Sequence, residues 1–129
     1  MRPGTLLITT SGIELAAGLA LVLAPSLVAD LLLGEELVAP AAIVVGRIAG
    51  IELVAIGASC WLARKRDGMG RRMDLVVGLL IYNAAVPAVL AHAATVLRMQ
   101  GIALWPAVLL HTALAFWCLG CLRSRDPGR

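Results

Sequence analysis

The sequence predicts an all-α protein, a bundle of four transmembrane helices with both termini in the cytoplasm. Three observations predict it. Hydrophobic residues are 60% of the 129 residues and charged residues only 15%, with a mean hydropathy of +0.92. A soluble domain averages about 45–50% apolar and about 25% charged. Four windows each supply the roughly 20 mostly apolar residues that a helix needs to cross a bilayer. The basic residues, finally, collect on one side of those windows, which is the bias that orients membrane proteins.

The first window, Thr5–Ala29, follows Arg2 and has the outline of a secretory signal. Its apolar run is too long for one, Glu14 interrupts it, and no small-x-small site closes it, so we read a retained helix. The second, Pro40–Ala63, opens on a proline, which a first helical turn tolerates, and ends near Trp61, a residue type favoured at membrane interfaces. The third, Arg72–Leu97, carries Pro87, which withholds an N–H and predicts a kink. The fourth, Ile102–Leu122, has Trp105 and Pro106 in its first turn. Residues 1–129 thus read as one integral membrane domain, with no soluble domain, linker or internal repeat.

Of the eleven basic residues, only Arg47 and Arg98 lie away from one side. Arg2, the loop "RKRDGMGRR" from Arg64 to Arg72, and the tail residues Arg123, Arg125 and Arg129 fall on the side of the termini. The expected location is therefore the inner (plasma) membrane, both termini cytoplasmic. The net charge of +3 reads as a topology signal that also meets anionic lipid, and nucleic acid is not an expected partner.

Polar residues inside the spans mark the candidate site. A charge at the bilayer centre costs at least roughly 2.5–3.5 kcal/mol on insertion scales, so such groups face protein or water. At 1.5 Å per residue, Glu14, Glu52, Asn83 and His111 all lie roughly 14–17 Å from the inner boundary, one per helix. Arg47 and His92 form a second layer, roughly 9–11 Å from the outer boundary. Glu14 and Glu52 are expected as an acid/base pair with His111 as proton carrier. Arg47, Tyr82, Asn83 and His92 are expected to bind the substrate. Helical phase resists a single pocket. On straight helices Arg47 and Glu52 point about 140° apart, and Asn83 and His92 about 180° apart. Either Pro87 rotates the upper third helix or some of these residues face another subunit.

Plainer roles stand beside these. Asn83, Thr95 and Thr112 are of the kind that hydrogen-bond between helices, and Arg47 suits a structural ion pair with Glu14 or Glu52. Axial haem ligation by His92 and His111, or a metal at Glu14, Glu52 and His111, is a secondary reading, and no resident cofactor is expected. Cys60, Cys118 and Cys121 include a C-x-x-C spacing that suits thiol or soft-metal chemistry, yet cysteine is also a common small buried residue. On helix two, Gly46, Gly50 and Gly57 form a small-residue seam suited to close helix contact.

"SGIELAAGLALVLAPSLVADLLLG", "GRIAGIELVAIGASCWLAR" and "LWPAVLLHTALAFW" resemble small bacterial four-helix membrane proteins of the DoxX-like kind, in layout and in Gly, Pro and Trp placement. The resemblance implies the four-span bundle. Some members are linked to quinone or thiosulfate redox chemistry, but this sequence lacks an outer-face cysteine pair for it. The acid pair resembles the membrane sterol isomerases in logic alone. The expected function is binding of a lipophilic or amphiphilic small molecule at a midplane polar pocket, with isomerase- or hydrolase-like turnover as its extension. The alternatives are a non-catalytic accessory subunit of a larger membrane complex and a dimeric proton- or ion-conducting protein.

Overall fold

A computed structural model describes residues 3–64 and 69–124. The basic residues Arg2, Lys65, Arg66, Arg125 and Arg129 lie outside the described residues. Five helices follow one another: α1 (Pro3–Leu23), α2 (Pro25–Leu33), α3 (Pro40–Ala63), α4 (Met69–Thr95) and α5 (Leu104–Arg123). Four of them, α1, α3, α4 and α5, are long and apolar enough to cross a membrane.

The first apolar window is where expectation and structure part. A single helix over Thr5–Ala29 is replaced by α1, a break, and α2. Ala24 leaves the helical region at φ −137°, ψ 62°, and Pro25 opens α2 at its first turn. Pro25 has no N–H to give, and its ring crowds the carbonyl four residues back, so an unbroken helix is disfavoured there. The new helix ends at Gly34, whose φ of +78° is the left-handed geometry that glycine adopts at little cost. With 9 residues, α2 is only about 13 Å long, too short to span a bilayer.

What holds α2 is backbone pairing with the α4–α5 connection. The Gln100 N–H donates to the Leu33 carbonyl at 3.1 Å, and the Ala103 N–H to the Leu31 carbonyl at 2.8 Å. Helix C-termini leave carbonyls without internal partners, and these two are satisfied across the chain. The approach is close enough that a Cβ on Gly101 would fall 2.2 Å from the Leu32 carbonyl carbon. Glycine is therefore required at 101 for α2 to sit where it does.

The long helices pack chiefly as two pairs, α1 with α3 and α4 with α5. Glycines set the first pair. A Cβ on Gly18 would lie 2.7 Å from the Gly50 carbonyl oxygen, and one on Gly50 would lie 2.8 Å from the Gly18 carbonyl oxygen. One turn pair further along, Gly57 meets Leu15 and the Ser11 backbone. The two backbones thus touch directly, the geometry small residues permit between membrane helices.

A buried apolar core ties both pairs together at the end of the bundle where the described termini lie. Leu6 and Leu7 of α1, Cys60 of α3, Met73, Val76 and Leu79 of α4, and Leu114, Cys118 and Cys121 of α5 form it. The three cysteines are free and buried among apolar neighbours. Toward the other end the packing opens into a cavity.

Candidate functional site: a cavity with one polar end

The cavity has a volume of about 480 Å³ and draws its walls from all five helices. Leu21 of α1, Val28, Ala29 and Leu32 of α2, Leu53 of α3, Val86 and Leu90 of α4, and Ala107 and Leu110 of α5 make it apolar. Its polar lining residues are Glu14, Tyr82 and His111. The bend at Pro25 makes this space possible. By turning α2 away from the α1 axis, it lets a short helix wall the cavity, where a straight α1 would have run on.

Glu14 is 1% exposed and Asn83 is wholly buried. The Tyr82 hydroxyl donates to Glu14 Oε2 at 3.4 Å. That is longer than the usual 2.7–2.8 Å or so for O–H···O, so the bond is weak. The other carboxyl oxygen, Oε1, is buried with no hydrogen-bond partner among the described residues. The same holds for Thr10 Oγ1 and Ser11 Oγ, which lie one helical turn before Glu14 on its face of α1. An unmet buried polar group costs about 1–3 kcal/mol, and more when charged. The polar stripe of α1 therefore calls for partners that the described residues do not supply.

On the opposite wall the network is complete and directional. Asn83 Nδ2 donates to the Leu79 carbonyl at 2.8 Å. A carbonyl only accepts, so this bond fixes which way the amide lies and presents Oδ1 to His111. Nδ1 of His111 is 2.8 Å from that oxygen. Since Oδ1 also only accepts, Nδ1 must carry the proton, and in the neutral ring Nε2 is left as an acceptor. The ring of Tyr82 meets the His111 ring edge-on, with centroids 5.4 Å apart and planes at 83°. Tyr82 and Asn83 are successive residues of α4, so one helical turn aims a phenol at Glu14 and an amide at His111. Pro87 adds to this turn, because it has no N–H for the Asn83 carbonyl four residues earlier.

The expected site residues are thus divided. Glu14, Tyr82, Asn83 and His111 come together across α1, α4 and α5. Arg47, Glu52 and His92 do not join them: all three are exposed, and none lines the cavity. The expected pairing of Glu52 with Glu14 inside one protomer is therefore not what the structure shows. The reason is rotational. The face of α3 that packs on α1 carries Gly50 and Gly57; Glu52 lies on the face turned away, and Arg47 is exposed at the side, about 60° round the helix from Gly50. His92, on α4, is exposed and does not line the cavity with His111, and no group of three or more His, Cys, Asp or Glu side chains suited to a metal occurs among the described residues.

Sequence reasoning missed the walls contributed by α2. A signal was present, since "PSLVADLLLG" has proline at the first helical position and glycine just past the last, the usual punctuation of a short separate helix. No family model matches this chain, and no curated protein or solved structure matches it.

Proposed function

We propose that the protein binds a small amphiphilic or lipophilic molecule, its polar group against Glu14, Tyr82 and His111 and its apolar body among the leucines beside α2. One observation carries this reading: a fully buried carboxyl with an unpartnered oxygen stands at the single polar end of an otherwise apolar cavity. A volume of about 480 Å³ lies within the roughly 300–1,000 Å³ of small-molecule sites. The complementary ligand group is one that both donates and accepts, such as a hydroxyl. It donates its one proton to Glu14 or to His111 Nε2, and offers a lone pair to the Tyr82 hydroxyl in place of that group's weak bond to Glu14.

The same three groups form a proton-transfer set. Glu14 and His111 take or return a proton and Tyr82 orients the reacting oxygen, which suits isomerisation or hydrolysis of a lipophilic substrate. We place the protein in the inner membrane with both termini cytoplasmic, on the strength of the nine basic residues on that side. Kinship with the DoxX-like proteins belongs to this reading and rests on layout.

The test is native mass spectrometry of the protein purified from its membranes, with solvent extraction of whatever it holds. We expect the wild type to carry a small apolar molecule and Ala107→Trp, which fills the cavity from α5, to emerge empty and folded. Glu14→Gln should retain it up to about tenfold less well, since a net hydrogen bond is worth about 0.5–1.5 kcal/mol and glutamine replaces one carboxyl oxygen with a group that only donates. An empty wild type, or an unchanged adduct in Ala107→Trp, would overturn the reading.

A further inference from the structure

The face of α3 turned away from the cavity presents a second problem, independent of the first. Of the four long helices α3 is the least buried, with 11% of its most apolar window covered against 22–33% for the others. It packs chiefly on α1, with a smaller contact to α2. Arg47 and Glu52 are both exposed at its two edges, and neither makes a hydrogen bond or ion pair among the described residues. Glu52 sits near the middle of a 24-residue apolar helix. Lipid offers it nothing, and its length does not let it reach an interface as a long arginine does.

The residues between these two charges form a pattern. Ala41, Val44, Ile48, Ile51, Ala55 and Leu62 are all exposed, and half-buried Ala58 completes them. Their spacing alternates three and four residues along the whole helix, the a/d seam of a heptad repeat. Arg47 immediately precedes one seam position and Glu52 immediately follows the next, so they occupy opposite flanks. On a straight helix they point about 140° apart and do not meet within one chain.

We propose that α3 packs in parallel against α3 of a second copy of this chain, through this seam, with Arg47 of each protomer paired to the partner's Glu52. Two arguments select a second copy and this orientation. Copies of one chain inserted by the same signals share a topology, so their α3 helices run parallel about a two-fold axis along the membrane normal. In a parallel two-helix seam, the flank residue before one seam position faces the flank residue five positions later on the other helix. Residues 47 and 52 have that separation and opposite charge. Reversing one helix would set Arg47 against Arg47 and Glu52 against Glu52. The two-fold axis makes the ion pair twice, and both charges leave lipid at once. The cavity lies on the far side of α3 from this seam, so the dimer leaves it accessible.

The experiment is single-molecule photobleaching of the labelled full chain in liposomes, combined with disulfide trapping in membranes. Trapping uses single cysteines in a background with Cys60, Cys118 and Cys121 replaced by alanine and a melt matching wild type. We expect dimers in liposomes, with cross-links at positions 48 and 51 and none at the exposed controls Ile81 and Leu109. Arg47→Glu alone and Glu52→Arg alone should each weaken dimerisation about tenfold, the scale of a buried interhelical polar contact. The double exchange should restore it. Failure of the double exchange to restore dimers, cross-links at 81 or 109 in place of 48 and 51, or a monomer throughout would overturn the proposal. So would trapping of a different protein at position 51 by a chain monomeric in liposomes. Ligand retention by the monomeric single variants separates this outcome from that of the cavity.

Discussion

Glu14 and Glu52 are the same residue type, each near the middle of a long apolar helix, and their surroundings make them different objects. Glu14 is enclosed, with one oxygen on a weak tyrosine bond and one unmet. Glu52 looks outward with nothing beside it among the described residues. Around His111 the decisive residue is Asn83, because its bond to the Leu79 carbonyl leaves it only an acceptor to offer. We expect nitrogen NMR of the protein carrying His92→Gln to show His111 protonated at Nδ1. In Asn83→Ala the ring should lose that preference and the protein about 1–3 kcal/mol of stability, from the buried N–H left unpaired. An Nε2-protonated His111 in the His92→Gln protein would contradict the Asn83–His111 network.

At the scale of elements, α1 and α3 touch backbone to backbone, whereas a Cβ on Gly70 or Gly78 of α4 would meet nothing within 4 Å. Gly50→Leu must place a side chain where a Cβ already stands 2.8 Å from the Gly18 carbonyl oxygen and the Val22 nitrogen. Since these are backbone atoms, the helices must separate, and a loss of about 1–3 kcal/mol or more is expected. Gly12→Leu, on the same pair but with nothing within 4 Å of its Cβ, is the control. It should leave the detergent unfolding transition unchanged or raise it, because leucine favours helix over glycine. Equal melts for the two variants would mean that the seam is not where the structure places it. The α2 segment depends on a different device, the paired carbonyls of Leu31 and Leu33 and the missing side chain at Gly101.

For the whole molecule, the apolar core and the cavity occupy opposite ends of the bundle. The core fastens the helices where the described termini lie, which leaves the other end free to enclose space without loss of cohesion. If the basic end is cytoplasmic, the cavity is built in the outer half of the membrane. Cysteine introduced at Glu35 should then react with an impermeant reagent added outside intact cells. Cysteine at Gly70 should react only after the membrane is opened. The reverse pattern would turn the protein over and place the cavity in the inner half.

The sequence by itself determined that the chain is helical, which segments are long and apolar enough to span, and where along each helix its polar residues stand. Those properties are one-dimensional: they follow from composition, from run length and from a fixed rise per residue. Even the close seam on α3 was legible, because glycines one or two turns apart need no partner to be recognised. Three things required the tertiary structure. One was the break at Ala24, since apolar run length says nothing about a backbone turning inside it, although Pro25 was in view. Another was the choice of Glu14, Tyr82, Asn83 and His111 over Arg47, Glu52 and His92. The last was the cavity itself. Each depends on which side of a helix its neighbours cover, and in an apolar helix the hydrophobic pattern gives no inward face. That choice is made by the fit of Gly18 against Gly50, and it turns one mid-helix glutamate into the bundle and the other out of it.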